Sequence, residues 1–279
     1  MLRPNKHKGQ HWLISKKYLE KIIESAQIKK DETVLEIGPG TGNLTEELLK
    51  SGAQVIAVEK DHDLIKLLLA KTKSVHEFAI ADSRIKLKII EDDILEFDEN
   101  QIKTNYKIVA NIPYYITGPI IQKFLWSANP PAEMILMVQK EVGERICAQP
   151  PRANYLSSMV QSLAETKILF KVSRDNFWPK PKVDSVVIKI TPQRQATSDP
   201  TTLKLRGAGK GQVNEFTNFL KIVFRQPRQT LFNNLKRGKL PQEKIDAVFI
   251  KLKISKNTRP QNLSVNDLRK LFVSFVCHL

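Results

Sequence analysis

The residues best placed to do chemistry are Asn111-Ile112-Pro113-Tyr114-Tyr115, which follow the apolar run Ile108-Val109-Ala110. An apolar run that stops at Asn-x-Pro-Tyr predicts a buried strand presenting its last side chain at a turn. Pro113 fixes its own φ and disfavours a helical Ile112, which holds the Ile112 carbonyl outward. The Asn111 amide oxygen and that carbonyl then form two acceptors side by side. They fit a flat primary amine with two N–H donors, such as the exocyclic amine of adenine. Tyr114 adds a face for the base, and base–aromatic stacking contributes roughly 1–3 kcal/mol. Taken alone, the same residues also describe a strand-end turn with a surface tyrosine, so the rest of the chain decides.

A second group sits earlier. A short apolar strand over 33–37 carries Glu36 and runs into Gly38-Pro39-Gly40-Thr41-Gly42. Glycines there let the backbone turn tightly and let a ligand approach to contact distance. The glycines are closer together than in the dinucleotide fingerprint and Pro39 interrupts them, which suits a ligand without a pyrophosphate. Glu59 ends a second strand, the usual position for a carboxylate that accepts both ribose hydroxyls. Asp93 follows a third strand over 85–90 and can accept from an adenine amine, while the Ile94 N–H donates to the ring. Three successive strand ends thus offer a methionine-chain cradle, a ribose clamp and an adenine clamp. That set describes S-adenosylmethionine.

These residues need a frame. Apolar periodicity predicts strands over 33–37, 55–58, 85–90, the run leading to Asn111, 134–138, 168–172 and 186–190. Between them it predicts helices from Tyr18 to Ala26, over 44–51, 62–73, 118–126, 140–148 and 156–164. Alternation of this kind implies a mostly parallel, Rossmann-like sheet with helices on both faces. From 193 to 212 the pattern fades into Gln, Thr, Gly and Pro, a linker. Only helices follow, over 216–224, 230–235, 241–252 and 265–276. Between Lys204 and Arg259 there are fourteen Lys/Arg against three acids. The expected organisation is a methyltransferase-like domain over 1–192, a linker over 193–212 and a small, basic, all-helical RNA-contacting domain over 213–279.

Composition narrows the partners. The formal charge of +16 on 279 residues points to a polyanion, with nucleic acid ahead of an anionic membrane surface. No apolar run approaches the ~20 residues needed to span a bilayer. Cys147 and Cys277 lie far apart without a His or Cys cluster, which argues for a reducing compartment and against a metal site. Motif-like sequence from Gly9 onward leaves no room for a signal or transit peptide, so a cytoplasmic location is expected. Trp12, Trp126 and Trp178 read as core or lid packing rather than base stackers. Phe177, in a loop between prolines, is expected to stay out of any sheet.

Taken together, these segments resemble the ribosomal RNA adenine dimethyltransferases of the small subunit, over nearly the whole chain. Gly9-Gln10-His11-Trp12-Leu13 is similar to that family's G-Q-N-F-L, with His11 and Trp12 replacing Asn and Phe. Phe177-x-Pro179-x-Pro181-x-Val183-x-Ser185 is similar to its F-x-P-x-P-K-V-x-S. Phe224-Arg225-Gln226-Pro227-Arg228-Gln229-Thr230-Leu231 resembles F-x-Q-R-R-K-T-L, where Pro227 and Gln229 remove two basic positions. At Asn154-Tyr155-Leu156-Ser157 the family more often has Tyr-Gly.

The resemblance implies S-adenosylmethionine as cofactor. Gln10, His11 and Leu13 would contact it from the first motif, and Gly38 and Gly40 from the glycine turn. Glu59, Lys60, Asp93, Ile94 and Asn111 would contact it from the strand ends. It further implies Asn111, Ile112, Pro113, Tyr114 and Phe177 as the catalytic group, with Phe177 facing the base opposite Tyr114. The expected reaction dimethylates the N6 amines of two adjacent adenines in a 3′-end hairpin of small-subunit RNA. The partner is then ribosomal RNA or the assembling small subunit, and the enzyme is a monomer without metal. Two alternatives stay open: a large-subunit rRNA adenine methyltransferase of the resistance type, and a non-catalytic nucleic-acid binder on the same scaffold.

Overall fold

Runs rich in Val, Ile and Leu form the strands of one sheet because every residue in them finds cover on one face or the other. The computed structural model describes residues 10–80, 86–193 and 215–276, with the backbone alone for 73–80 and 276. Gly9, the basic residues before it, Cys277 and all but the first residue of the expected linker lie outside the described residues. Contacts divide the chain into two units. One is Met1–Leu125, Asn129–Gly143 and Thr166–Pro192; the other is Trp126–Ala128, Glu144–Glu165 and Gln193–Leu279.

In the first unit, β2 (Thr33–Ile37), β3 (Gln54–Glu59), β4 (Leu87–Glu91), β5 (Tyr106–Asn111) and β6 (Glu133–Gln139) pair in parallel. β9 (Ser185–Pro192) is antiparallel to β6. β7 (Ala164–Val172) completes the order β4-β3-β2-β5-β6-β9-β7. The chain starts this sheet at β2, winds outward through β3 and β4, then returns to lay β5 on the other side of β2. Ligands of open parallel sheets bind beyond the carboxyl ends of strands at such a reversal. Every residue of β2 is buried, so both faces are covered. On one face Val34, Val55, Val109 and Ile135 join Leu19 and Ile22 of α1 (Lys16–Ala26) and Leu44 and Leu48 of α2 (Asn43–Lys50). The alternate positions Leu35, Ile108 and Leu136 point the other way and are equally buried. α3 (His62–Ile80) follows β3 and extends beyond the expected end at residue 73. α4 (Thr117–Leu125) and α5 (Lys140–Ile146) follow β5 and β6.

At the far end of β5, Lys107 is buried and caps the C-terminus of α1. Its ammonium donates to the carbonyls of Ala26 at 2.8 Å and Gln27 at 3.1 Å and pairs with Glu32 at 3.2 Å. A cation at a helix C-terminus satisfies carbonyls that have no intrahelical partner.

A separate ribbon joins β1 (Trp12–Leu13) to β8 (Phe177–Trp178), antiparallel, with Trp12 opposite Trp178 and Leu13 opposite Phe177. This corrects the expectation for Phe177. Pro179 and Pro181 follow a two-residue strand rather than exclude one, and Phe177, only 3 % exposed, belongs to the apolar core with Leu13.

In the second unit, α6 (Tyr155–Gln161) begins at a capping box in which Asn154 and Ser157 exchange hydrogen bonds. It was expected to run to Ala164, but Ala164 opens β7. Residues 144–165 had been placed with the sheet; they pack instead with the C-terminal helices. The Ala153 N–H donates to the Gln261 carbonyl at 3.1 Å, and the Arg269 guanidinium donates to the Ser162 carbonyl. Those helices are α7 (Glu215–Val223), α8 (Leu231–Arg237), α9 (Gln242–Lys251) and α10 (Val265–Val276). Phe216 and Phe219 of α7 meet Phe272 and Phe275 of α10, with ring centroids 5.3 to 6.0 Å apart. Fully buried Asn234 holds the turn after α7: its amide donates to the Gln226 carbonyl at 3.0 Å and accepts from the Gln226 N–H at 3.1 Å. Among the described residues no helix is long and apolar enough to cross a membrane.

The sheet is packed tightly where α5 crosses it. A β-carbon on Gly143 would fall 2.3 Å from Val186 Cγ2 and 3.2 Å from Ile188 and Val138 methyls. Gly143→Ala should therefore destabilise the protein by about 1–3 kcal/mol, the usual scale of overpacking. Urea unfolding with an unchanged or raised midpoint would show that the contact relaxes freely.

Candidate active site

Four strand ends, those of β2, β3, β4 and β5, and the β1 side of the ribbon converge on one cavity of about 520 Å³ in the first unit. The glycine turn after β2 forms its floor. Gly38, Gly40 and Gly42 have φ of +63°, +56° and +77°, where a side chain is strained. At Gly40 a β-carbon would also lie 2.8 Å from the Trp12 indole nitrogen, so that glycine admits both the turn and the tryptophan. Glu59 ties the turn to β3. One carboxylate oxygen accepts from the N–H groups of Lys60 and Asp61, each at 2.9 Å, and the other from the Gly40 N–H at 3.3 Å. Burial raises the Glu59 pKa even against those three donors. Asp93 accepts from the Leu95 N–H at 2.9 Å and from the Lys60 ammonium at 2.7 Å, and the lysine holds its carboxyl below the usual range.

Asn111 closes β5. Its Nδ2 donates to the His11 carbonyl at 3.0 Å. That bond fixes the amide's orientation and leaves Oδ1 without a protein partner among the described residues. The His11 ring stacks on Tyr114 at 6.0 Å and 21°, and its Nδ1 lies 2.7 Å from the Pro179 carbonyl. The Tyr114 hydroxyl meets Ser185 Oγ at 2.7 Å, and burial pushes its pKa up. Three segments distant in sequence, 10–13, 111–115 and 177–185, therefore form one braced structure.

Gln10, His11, Leu13, Gly38, Gly40, Glu59, Lys60, Asp93, Ile94 and Asn111 all line the cavity, as do Ile112, Pro113 and Tyr114. Phe177 does not. It packs in the buried cluster with Leu13, the lining residue opposite it across the ribbon. Among the described residues no group of His, Cys, Asp or Glu could hold a metal ion.

Sequence reading assigned no site role to three residues that matter. Ser185 fixes Tyr114. Asn43 donates to the Leu13 carbonyl and accepts from Lys71, each at 2.8 Å, which pins the ribbon to α2. Glu36 lines the cavity 1 % exposed, with Oε2 unpartnered among the described residues. The Thr45 hydroxyl lies close by, too loosely placed for a full hydrogen bond. Desolvation raises the Glu36 pKa to about 8, so the carboxyl is mostly neutral at pH 7. An acid inside an otherwise apolar strand was the available signal.

A parallel sheet that reverses at β2 and β5, with a glycine turn, a ribose-type carboxylate and an Asn-x-Pro-Tyr strand end, defines a Rossmann-like methyltransferase. Solved structures agree in fold. A dimethyladenosine transferase from Plasmodium falciparum superposes with a TM-score of 0.74 at 29 % identity, covering 93 % of this chain and 95 % of that one. The 23S rRNA methyltransferase ErmE does so with 0.71 at 24 % identity, covering 95 % and 99 %. More specifically, the chain belongs to the ribosomal RNA adenine dimethylase family, whose model matches residues 1–275, and is an rRNA adenine dimethyltransferase. Ribosomal RNA small subunit methyltransferase A of Clostridium botulinum is 38 % identical over 272 residues, covering 96 % of this chain and 92 % of its own. The protein of that name from Malacoplasma penetrans is 37 % identical, covering 96 % and 90 %.

The Glu36 proton has a measurable consequence. Its folded pKa, about 8, exceeds the ordinary 4.5, so between those values the folded chain holds a proton that the unfolded chain has lost. Stability should therefore fall as pH rises from about 5 to 8, by up to ~1.4 kcal/mol per pH unit from this group. Glu36→Gln should flatten that slope in urea titrations run from pH 5 to 9. The same slope in both proteins would mean that Glu36 is ionised throughout.

Proposed function

We propose that the cavity binds S-adenosylmethionine and that Asn111 presents to it the N6 amine of adenines in small-subunit ribosomal RNA. The orientation of the Asn111 amide carries this reading. Because His11 takes the donor end, the acceptor end remains for a substrate N–H.

The residues present fit the cofactor. Glu59 keeps acceptor capacity on Oε2 for a ribose hydroxyl, and Asp93 with the Ile94 N–H suits an adenine edge. The glycine turn leaves room where a side chain would intrude. Glu36 offers an unsatisfied acid to the cationic amino-acid end, and its proton is released when that charge arrives. S-adenosylmethionine supplies a methyl group activated on a sulfonium centre. Asn111 Oδ1 and the Ile112 carbonyl accept the two N–H groups of the extruded adenine and orient its nitrogen lone pair, and Pro113 sets the turn that holds them. Tyr114 offers its ring to the base, kept in place by Ser185. Phe177 contributes by anchoring the ribbon rather than by touching the base. Catalysis is then positioning and electrostatics, and the methylated amine releases its proton to solvent. Two rounds give the dimethylated base.

The small-subunit substrate is supported by the names of the relatives that match nearly the whole chain, whereas the likeness to the large-subunit enzyme is one of fold. The exposed cations Arg225, Arg228, Lys236 and Lys239 of the helical unit are proposed to meet RNA phosphates. The enzyme is proposed to act as a monomer in the cytoplasm, where small subunits assemble.

Glu59→Ala should weaken S-adenosylmethionine binding by about 1.5–3 kcal/mol, the range for lost hydrogen bonds to a charged group. Calorimetry with unchanged affinity would remove Glu59 from the site.

Asn111→Ala should leave RNA affinity nearly intact, since phosphate contacts dominate it. Transfer should fall by at least ~10²-fold, the usual effect of losing one preorganised polar group at the reacting centre. Single-turnover transfer of labelled methyl, scored separately for mono- and dimethyladenosine, measures this. Wild-type rates in the variant would end the assignment.

A further inference from the structure

The ribbon of β1 and β8 has two apolar faces; one is buried, and the other is partly covered at Trp12 but open at Trp178 and Ile14. In a paired ribbon directly opposite residues share a face and neighbours along a strand alternate. Leu13 and Phe177 form the inner face, 4 % and 3 % exposed. Trp12, Trp178 and, one step further along, Ile14 form the outer face, joined through the Ile14 N–H to the Asn176 carbonyl at 2.9 Å. Trp12 and Trp178 pack with centroids 5.5 Å apart at 35°. Trp178 nevertheless remains 48 % exposed and Ile14 57 %. Burial of the inner face is what stabilises so short a ribbon, so folding does not require tryptophans outside. Trp178, read from sequence as packing, is a large ring left half open to water.

We infer that Trp178 is a stacking platform for the nucleobase next to the target adenine, making it a positioning residue for the RNA. The inference rests on the functional reading above. Three observations point to a base rather than to another apolar surface. First, the platform is continuous with the reacting position. Trp12, which supports Trp178, lines the cavity, and its neighbour His11 stacks on Tyr114 at 6.0 Å. Second, the loop that carries Trp178 presents Arg174, Lys180 and Lys182 to solvent, as a phosphate backbone requires. Asp175, paired with Lys180, and Asp184 offset part of that charge, and the chain as a whole carries +16. Third, the chemistry leaves a base in need of a partner. Extruding an adenine costs a few kcal/mol of stacking and leaves its neighbour with a bare face. An open indole face beside the cavity offsets that loss, and it does so for any base.

The test uses the full chain and small subunits reconstituted around RNA whose 3′-terminal hairpin is synthetic. The hairpin is made intact, abasic on the 5′ side of the acceptor adenine, or abasic on its 3′ side. Single-turnover transfer is followed against subunit concentration for wild type, Trp178→Ala and Trp178→Phe. Calorimetry follows S-adenosylmethionine binding alongside. Trp178→Ala should raise the half-saturating subunit concentration about tenfold or more, the scale of one base–aromatic stack. Trp178→Phe should recover most of the loss, and cofactor affinity should not change. On one of the two abasic substrates the wild type and the alanine variant should become equal. An unaffected alanine variant, or a defect of the same size on all three RNAs, would overturn the inference while leaving the enzyme's function standing. A matching loss of cofactor affinity would also overturn it, by making Trp178 a brace for Trp12. Absence of transfer by the unaltered chain would bring down the functional reading, and this inference with it.

Discussion

The hydrogen bond from Asn111 Nδ2 to the His11 carbonyl is the constraint on which the site depends. An amide side chain can present either end, and only one end accepts from an amine. By engaging the donor end with backbone, the protein resolves that ambiguity before any substrate arrives. The bond also recruits the segment before α1 to the mouth of the sheet. Once residue 11 is there, its ring can lie against Tyr114 and reach Pro179, and the following two residues can pair with β8. Preorganisation of this kind separates a polar group that merely contacts a substrate from one that directs it.

The electrostatics follow the same plan. Each carboxylate at a strand end is engaged by backbone donors or by a lysine, so it is immobile yet not exhausted. Glu59 uses its bonds to fasten the glycine turn, and Asp93 is shared with Lys60. Glu36 differs because burial, which raises its pKa to about 8, keeps its proton on.

Much of this was legible in the chain. Asn111 announced itself because an apolar run, a proline and a tyrosine fix both a strand end and its turn. Glu59 and Asp93 were legible because parallel strands send their last residues to the same edge. Features set by distant partners were not legible. Phe177 occupies a two-residue strand, too short to show any periodicity, and its burial comes from Leu13 at the other end of the unit. The end of α6 was misplaced because Leu163 and Ala164 continue a helical spacing, while sheet pairing draws Ala164 into β7. Ser185 stood in plain view as a motif residue, yet its bond to Tyr114 depends on β9 lying beside β6 and near the end of β5. The proton on Glu36 depends on exclusion of water, which residue type alone does not report.

The buried Lys107 gives α1 a mechanical role. Through Lys107 the C-terminal end of this helix is fastened to the start of β5, and through His11 the segment leading into it is fastened to Asn111 at the end of the same strand. Four residues of strand span about 13 Å at ~3.3 Å each. The eleven-residue helix runs about 16 Å at ~1.5 Å each. Helix and strand are thus tied directly at one end and, at the other, through residues 12–15 that lead from His11 into α1. The position of the Asn111 side chain is thereby braced by a helix that lies outside the strand carrying it.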